Sequence, residues 1–357
     1  MIILNNSEKL RILREYTSEL PDFAYSYIIE YYSGDSLNTQ IGYCIDLRVF
    51  FYYLKTEIFP DRQSISDFTA ADLNHVTVSQ LIHYKNYLRE YTVESVSPIG
   101  KITKRTYKNS AYGINRKLSA LRGMFIYLYK TDQIRENITD KIDFMKLHHK
   151  IKKPLTTQET VALLDIIYNG EKHFTGRKLT EYNRRKLRDI ALFTAYLGTG
   201  VRVSELAALD ALDIDFQSSS FIVRRKGGDE QEIFMPIQVE DAFFSYLQTE
   251  DGTLRTEGPL FLNRSGKRLG IAGIEKLLKD YCHEAGIYHP DKTRPHALRR
   301  TFACRLLEDG IDIKMVADLL GHKNIEVTHR FYAQYTRQAK REVMEQVHVI
   351  PDSIQES

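Results

Sequence analysis

The chain has 357 residues, 43% of them apolar and 27% charged, with a formal net charge of +3; this is the balance of a globular protein with room for two domains. No run approaches the roughly 18 apolar residues that cross a bilayer, and the first residues lack the basic flank and apolar stretch of a secretory signal, so a cytoplasmic protein is expected. Cys44, Cys282 and Cys304 are far apart and have no CxxC spacing, which argues against a disulfide framework or a zinc site.

The first half reads as helices. Over residues 39–59, Ile41, Ile45, Phe50, Leu54 and Ile58 recur at helical spacing, with Ser36 and Asn38 as capping candidates. A second helix is expected over 78–90. After a Ser/Pro/Gly turn at 97–100, a third is expected over 104–129, with Ile114, Leu118, Leu121, Phe125 and Leu128 as its apolar stripe. From 101 to 130 the basic residues are Lys101, Lys104, Arg105, Lys108, Arg116, Lys117, Arg122 and Lys130, and no acid interrupts them. A field of one sign attracts a polyanion; the alternative is a solvated face whose acidic neighbours come from elsewhere in the fold. Tyr107, Tyr112 and Tyr127 suit packing on DNA, although aromatics at helical spacing more often belong to a core.

A basic stretch ending in proline, with Lys146, His148, His149, Lys150, Lys152, Lys153 and Pro154, marks a linker. Thr156 and Thr157 ahead of Glu159 and Thr160 open a helix over 161–168. Residues 169–185 read as a loop or insertion. A buried helix over 190–196 follows, closed by Gly198 and Gly200. Residues 221–225 and 233–237 form a β-hairpin around Lys226-Gly227-Gly228-Asp229, and helices fill the remainder.

Five pieces in this second half carry chemistry. Arg202 stands in a turn between two helices with Glu205 three residues on, an arrangement suited to bidentate phosphate recognition. Lys226 sits at the hairpin tip, from which it can give a proton to a leaving oxygen. His296 and Arg299 share one helix face and pair a proton acceptor with a second phosphate-gripping cation. Gly321 ends a helix and delivers His322. A short stretch over 328–335 offers Tyr332.

This series, Arg202, Lys226, His296-Ala-Leu-Arg299, Gly321-His322 and a following tyrosine, resembles the tyrosine recombinases (phage integrase family) over about residues 155–345. The segment INRKLSALRGMFIYL is similar in pattern to that family's core-binding domain, and the overall length resembles the single-protein Xer recombinases of streptococci. The resemblance implies a mainly α fold with a small antiparallel sheet, arranged as a two-domain C-shaped DNA clamp. Residues 1–150 would be a helical, SAM-like core-binding domain carrying the basic DNA contacts, 155–345 the catalytic domain, and 346–357 a tail. Arg202 and Arg299 would bind the non-bridging oxygens of the scissile phosphate, with Glu205 supporting the pocket. Lys226 would protonate the 5′ oxygen. His296 and His322 would hydrogen-bond the phosphate, His296 assisting removal of the phenolic proton. Tyr332 would attack and form a 3′-phosphotyrosine. A phenol with a pKa near 10 needs a cationic pocket to do so at neutral pH. Because that bond conserves the energy of the cut linkage, no cofactor, ATP or metal, is implied.

Two positions depart from the family's pattern. Nine residues after His322 stands Phe331, where many members have the tyrosine, and Tyr332 is ten after; Tyr335 lies a further turn along. One residue rotates a helical side chain by about 100°, so Tyr332 and residue 331 cannot both serve. Arg300, where a second histidine often follows the arginine, contacts DNA or packs. The family also exchanges its tail between neighbours of a homo-tetramer on two duplexes; here Ala339, Val343, Met344 and Val347 would do so, unless the tail folds back on its own domain. Two alternatives remain beside recombination: a type IB topoisomerase, and a catalytically dead DNA-binding accessory protein if Phe331 marks the nucleophile position.

Overall fold

A computed structural model describes residues 6–31, 36–96, 102–147, 152–225 and 228–321. Lys101, Lys226, His322, Phe331, Tyr332, Tyr335 and the tail positions Ala339, Val343, Met344 and Val347 lie outside the described residues. The chain divides into two compact units at the boundary between His149 and Lys150, each with its own apolar core. The fold is mainly α with small antiparallel sheets. Among the described residues no helix is long and apolar enough to cross a membrane.

The first unit contains α1 (Asn6–Thr17), α2 (Asp22–Ser26), α3 (Leu37–Tyr53), α4 (Ala70–Leu73), α5 (Val78–Tyr87), strands β1 (Glu90–Val96) and β2 (Ile102–Lys108), and α6 (Ala111–Lys130). Ser36 caps α3 by accepting from the Thr39 amide, as expected. The helix buries Cys44, Leu47, Phe50, Phe51 and, in the π-helical turn that continues it, Leu54, whereas Ile45 is 40% exposed. Because α3 packs against both α1 and α6, it needs a wider apolar face than one stripe provides.

The helix expected over 104–129 is corrected. Residues 102–108 form β2, paired antiparallel with β1 in the register Tyr91↔Tyr107 and Val93↔Arg105, and α6 begins only after Ser110, whose hydroxyl accepts from the Gly113 amide. Ile102, Thr103, Thr106 and Tyr107 are β-branched or aromatic residue types that suit a strand, and Tyr107 stacks on Tyr91, which stacks on Tyr87. The same pairing ends the helix expected over 78–90 at Tyr87.

The second unit contains α7 (Thr157–Tyr168), α8 (Gly176–Thr199), α9 (Val203–Ala208), strands β3 (Ile214–Asp215), β4 (Ser220–Arg224) and β5 (Glu230–Phe234), α10 (Ile237–Leu247), α11 (Ile271–Glu284), α12 (Pro295–Glu308) and α13 (Ile313–Leu320). The Thr156–Glu159 capping box opens α7. The loop expected over 169–185 is corrected: α8 starts at Gly176 and runs 24 residues. Its polar first turns hid one anchor, Tyr182, which is fully buried; its hydroxyl accepts from the Gly170 amide at 3.0 Å and donates to the Ile167 carbonyl at 3.1 Å. The β3–β4–β5 sheet turns Phe221, Val223 and Ile233 into the core. Pro236, lacking an amide donor, ends the hairpin earlier than expected and precedes α10.

Candidate active site

Two glycines build the frame. Gly200 caps α8 with φ +62, a left-handed conformation that a side chain rarely adopts, and a Cβ there would meet the Phe302 ring at 2.3 Å. The chain is thus free to turn at once into α9, and Arg202 falls at the turn. Its backbone amide donates to Oε2 of Glu205 at 2.8 Å, its Nη1 donates to Oε1 at 2.6 Å, and its Nη2 reaches the Gly321 carbonyl at 3.3 Å. Glu205 is 5% exposed, and its carboxylate caps α9 while gripping the arginine. The Arg–Glu pair expected from the sequence is therefore present.

Gly321 caps α13 with φ +61. Arg299, on α12, is buried and crosses between the two glycine turns: Nη1 donates to the Gly200 carbonyl and Nη2 to the Leu320 carbonyl, both at 2.6 Å. The last carbonyls of a helix have no partner inside it and carry partial negative charge, which makes them suitable acceptors for a buried guanidinium. Pro295 at the first position of α12 suits helix entry, and His296 follows it. His296 keeps part of its surface exposed at this helix start. Partial burial of its ring, and then the charges of Arg299, Arg300, Lys152 and Arg202, hold its pKa below the ordinary imidazole value.

The structure therefore brings Arg202, Glu205, His296 and Arg299 together. Arg300 packs: it is buried, and Nη1 donates to the Lys153 carbonyl at 3.0 Å. The hydroxyl of Thr301 beside it accepts from the Leu155 amide at 2.9 Å, tying α12 to the segment that opens this unit. One group escaped the sequence reading. Arg225, at the end of β4, places its guanidinium against Gly321 with Nε 3.9 Å from Glu205 Oε1. Its only signal in the sequence is adjacency to Lys226.

In the first unit the basic stripe is interrupted in space. Asp46 on α3 takes Arg116 at 2.6 Å and Lys117 at 3.6 Å, and Lys117 is only 6% exposed. Arg122 donates to the Thr139 and Ile142 carbonyls at 3.0 and 2.6 Å and lies over the Phe144 ring. These three serve the fold, so their contribution to a DNA-facing field is smaller than the linear sequence suggests. Lys104, Arg105 and Lys108 are exposed on β2; Lys108 pairs with Glu90 at 3.1 Å, and Arg105 lies over the Tyr107 ring.

Residues 153–339 match the sequence profile of the phage integrase family. The tyrosine recombinase XerC of Thermodesulfovibrio yellowstonii is 30% identical over 279 residues, 72% of this chain and 88% of that protein. XerC of Chlamydia trachomatis serovar L2 is 28% identical across 90% of this chain and 95% of its own length. Among solved structures, the Tn1549 transposon integrase in complex with circular intermediate DNA superposes with a TM-score of 0.62 at 23% identity, over 94% of this chain and 99% of that one. The XerH site-specific recombinase bound to palindromic difH substrate gives 0.59 at 18% identity, over 95% and 94%. These structural likenesses concern the fold.

Proposed function

The chain belongs to the phage integrase family and is a site-specific tyrosine recombinase, and from that premise we propose how its own residues divide the reaction. The scissile phosphate sits between Arg202 and Arg299, each offering N–H groups to a non-bridging oxygen. Tyr332 Oη attacks phosphorus, forming a 3′-phosphotyrosine as the bond to the 5′ oxygen breaks. His296 takes the phenolic proton, Lys226 protonates the departing 5′ oxygen, and His322 hydrogen-bonds the phosphate. Reversal with a new 5′ hydroxyl rejoins the strand through a Holliday junction. Glu205 holds Arg202 in place. One observation carries this reading: Arg202, Glu205 and Arg299 converge on the paired helix ends at Gly200 and Gly321, with His296 on the same helix as Arg299.

The partner is a double-stranded DNA recombination site. Lys104, Arg105 and Lys108 of the first unit would meet the DNA backbone, with Lys101, while Arg116, Lys117 and Arg122 support them from within; residues 1–150 act as the core-binding domain and 155–345 as the catalytic domain. The protein would work in the cytoplasm, at the nucleoid. The active assembly would be a homo-tetramer on two duplexes, each tail docking on a neighbour. An apolar groove in the second unit, with Val161, Leu164, Leu197, Val239 and Leu306 on its wall, supports a site for Ala339, Val343, Met344 and Val347. The XerC likeness favours chromosome dimer resolution, and movement of an integrative element is the second use of the same chemistry.

The test is a duplex nicked just beyond the cleavage position, so that the short downstream fragment, released with a free 5′ hydroxyl, diffuses away and the covalent adduct accumulates. Wild type and Tyr335→Phe should yield the adduct, and Tyr332→Phe should not. An adduct on Tyr332→Phe would overturn the assignment, and sequencing the attached DNA would identify the target.

A further inference from the structure

The β4–β5 turn closes through two backbone bonds, from the Arg225 amide to the Asp229 carbonyl at 2.7 Å and from the Gly228 amide to the Arg225 carbonyl at 3.1 Å. The turn leaves only 15% of the Arg225 side chain exposed. Its guanidinium occupies the space a side chain at position 321 would need: a Cβ there would lie 1.1 Å from Nη1. Nε faces Oε1 of Glu205 at 3.9 Å, the same oxygen that holds Nη1 of Arg202 at 2.6 Å. Nε makes no hydrogen bond among the described residues.

Two guanidiniums thus share one carboxylate oxygen, while Arg299 reaches the Gly200 and Leu320 carbonyls at the same two helix ends. Three cations against one carboxylate leave an excess of two positive charges. Burial presses hardest against the charge on Arg225, Glu205 favours it and Arg202 opposes it. Arginine does not discharge in proteins, so the compensation has to come from an anion. A phosphodiester brings one negative charge, and its five-coordinate transition state brings two. The excess therefore matches the transition state better than the ground state, the condition for catalysis as opposed to mere binding.

We propose that Arg225 is a third guanidinium of the scissile-phosphate pocket, pairing with the phosphoryl oxygens as charge builds during strand cleavage. This rests on the reading of Arg202 and Arg299 as phosphate ligands. Arg225 exchanges no proton: the Tyr332 Oη–P bond forms, the bond from phosphorus to the 5′ oxygen breaks, and proton traffic stays with His296 and Lys226.

The experiment measures single-turnover cleavage and DNA affinity separately for wild type, Arg225→Gln and Arg225→Lys. Two nicked duplexes are used, one natural and one with a methylphosphonate at the scissile position, which removes one negative charge. On the natural duplex, Arg225→Gln should cleave about a hundredfold more slowly, the loss typical of removing one donor to a developing oxyanion, with affinity little changed. On the methylphosphonate that loss should shrink by at least about tenfold, because less charge needs a partner. Arg225→Lys, which keeps the charge and stem, should fall between wild type and Arg225→Gln. An equal loss on both duplexes, or a loss of affinity parallel to the loss of rate, would overturn the proposal in favour of a structural or ground-state role. Arg202→Ala is the separate control: if it cleaves the natural duplex at the wild-type rate, the reading of the pocket itself fails, whatever Arg225 does.

Discussion

At the scale of residues, the pocket's charge governs its pH behaviour. His296 is crowded and faces Arg299, Arg300, Lys152 and Arg202, all of which disfavour the imidazolium. The sign follows directly: the ring stays neutral, and able to accept a proton, at pH values where an ordinary histidine would already be half protonated. Single-turnover cleavage should therefore keep its rate down through about pH 6.5, the unperturbed value, and fall only below it. Lys152 is exposed, so Lys152→Gln can remove one cation without opening the core, and it should move this acid limb upward. An acid limb at or above the ordinary histidine value in wild type would contradict the assignment. Most of these residues were legible in the sequence because motifs fix spacing: Arg202 with Glu205, and His296 with Arg299. Arg225 was not, because its role depends on the space left by Gly321, nearly a hundred positions away, and no local pattern records it.

At the scale of elements, two helix ends and one buried carboxylate carry the argument. Replacing Gly200 by alanine imposes a left-handed residue with a Cβ and drives that atom into Phe302. The conformational strain alone costs about 1–3 kcal/mol. Because Arg202, the residue that caps α9, stands two residues later, Gly200→Ala should both lower the melting temperature and slow cleavage. In the first unit, burial pushes the Asp46 carboxyl up to about 6 despite Arg116 and Lys117. The folded unit therefore holds that proton more tightly than the unfolded chain, whose carboxyl titrates near 3.9. Its contribution to stability is full below about pH 4 and is lost as pH rises through about 6. Asp46→Asn should flatten this part of the urea midpoint against pH, and an unchanged slope would show that other groups set it. The elements themselves were readable where caps and apolar spacing agreed, as at Ser36 and Thr156. They were misread where a partner outside the window decided the outcome. Residues 102–108 became a strand because β1 pairs with them, and the charged start of α8 was hidden because few of its residues, the buried Tyr182 and the partly buried Leu179 among them, turn inward.

At the scale of the whole molecule, the two cores share no residue, so each unit should unfold largely on its own account. Leu118 and Leu192 are buried in the first and second core respectively. Truncating either to alanine costs about 2–5 kcal/mol in a typical core. Calorimetry should show two transitions, with Leu118→Ala moving one and Leu192→Ala the other; a single transition shifted equally by both would show that the units unfold as one. The chain divides between His149 and Lys150, inside the basic, proline-ended stretch where composition changes abruptly. Arg299 has a consequence that reaches beyond one molecule. Its guanidinium joins the ends of α8 and α13, so losing it would cost the helices their tie as well as, on the proposed reading, the reaction its cation. A duplicated gene that drifted away from strand cutting would keep this arginine for as long as its product still had to fold. In any inherited set of such chains, then, an arginine at this place testifies first to shared architecture and only afterwards to surviving chemistry.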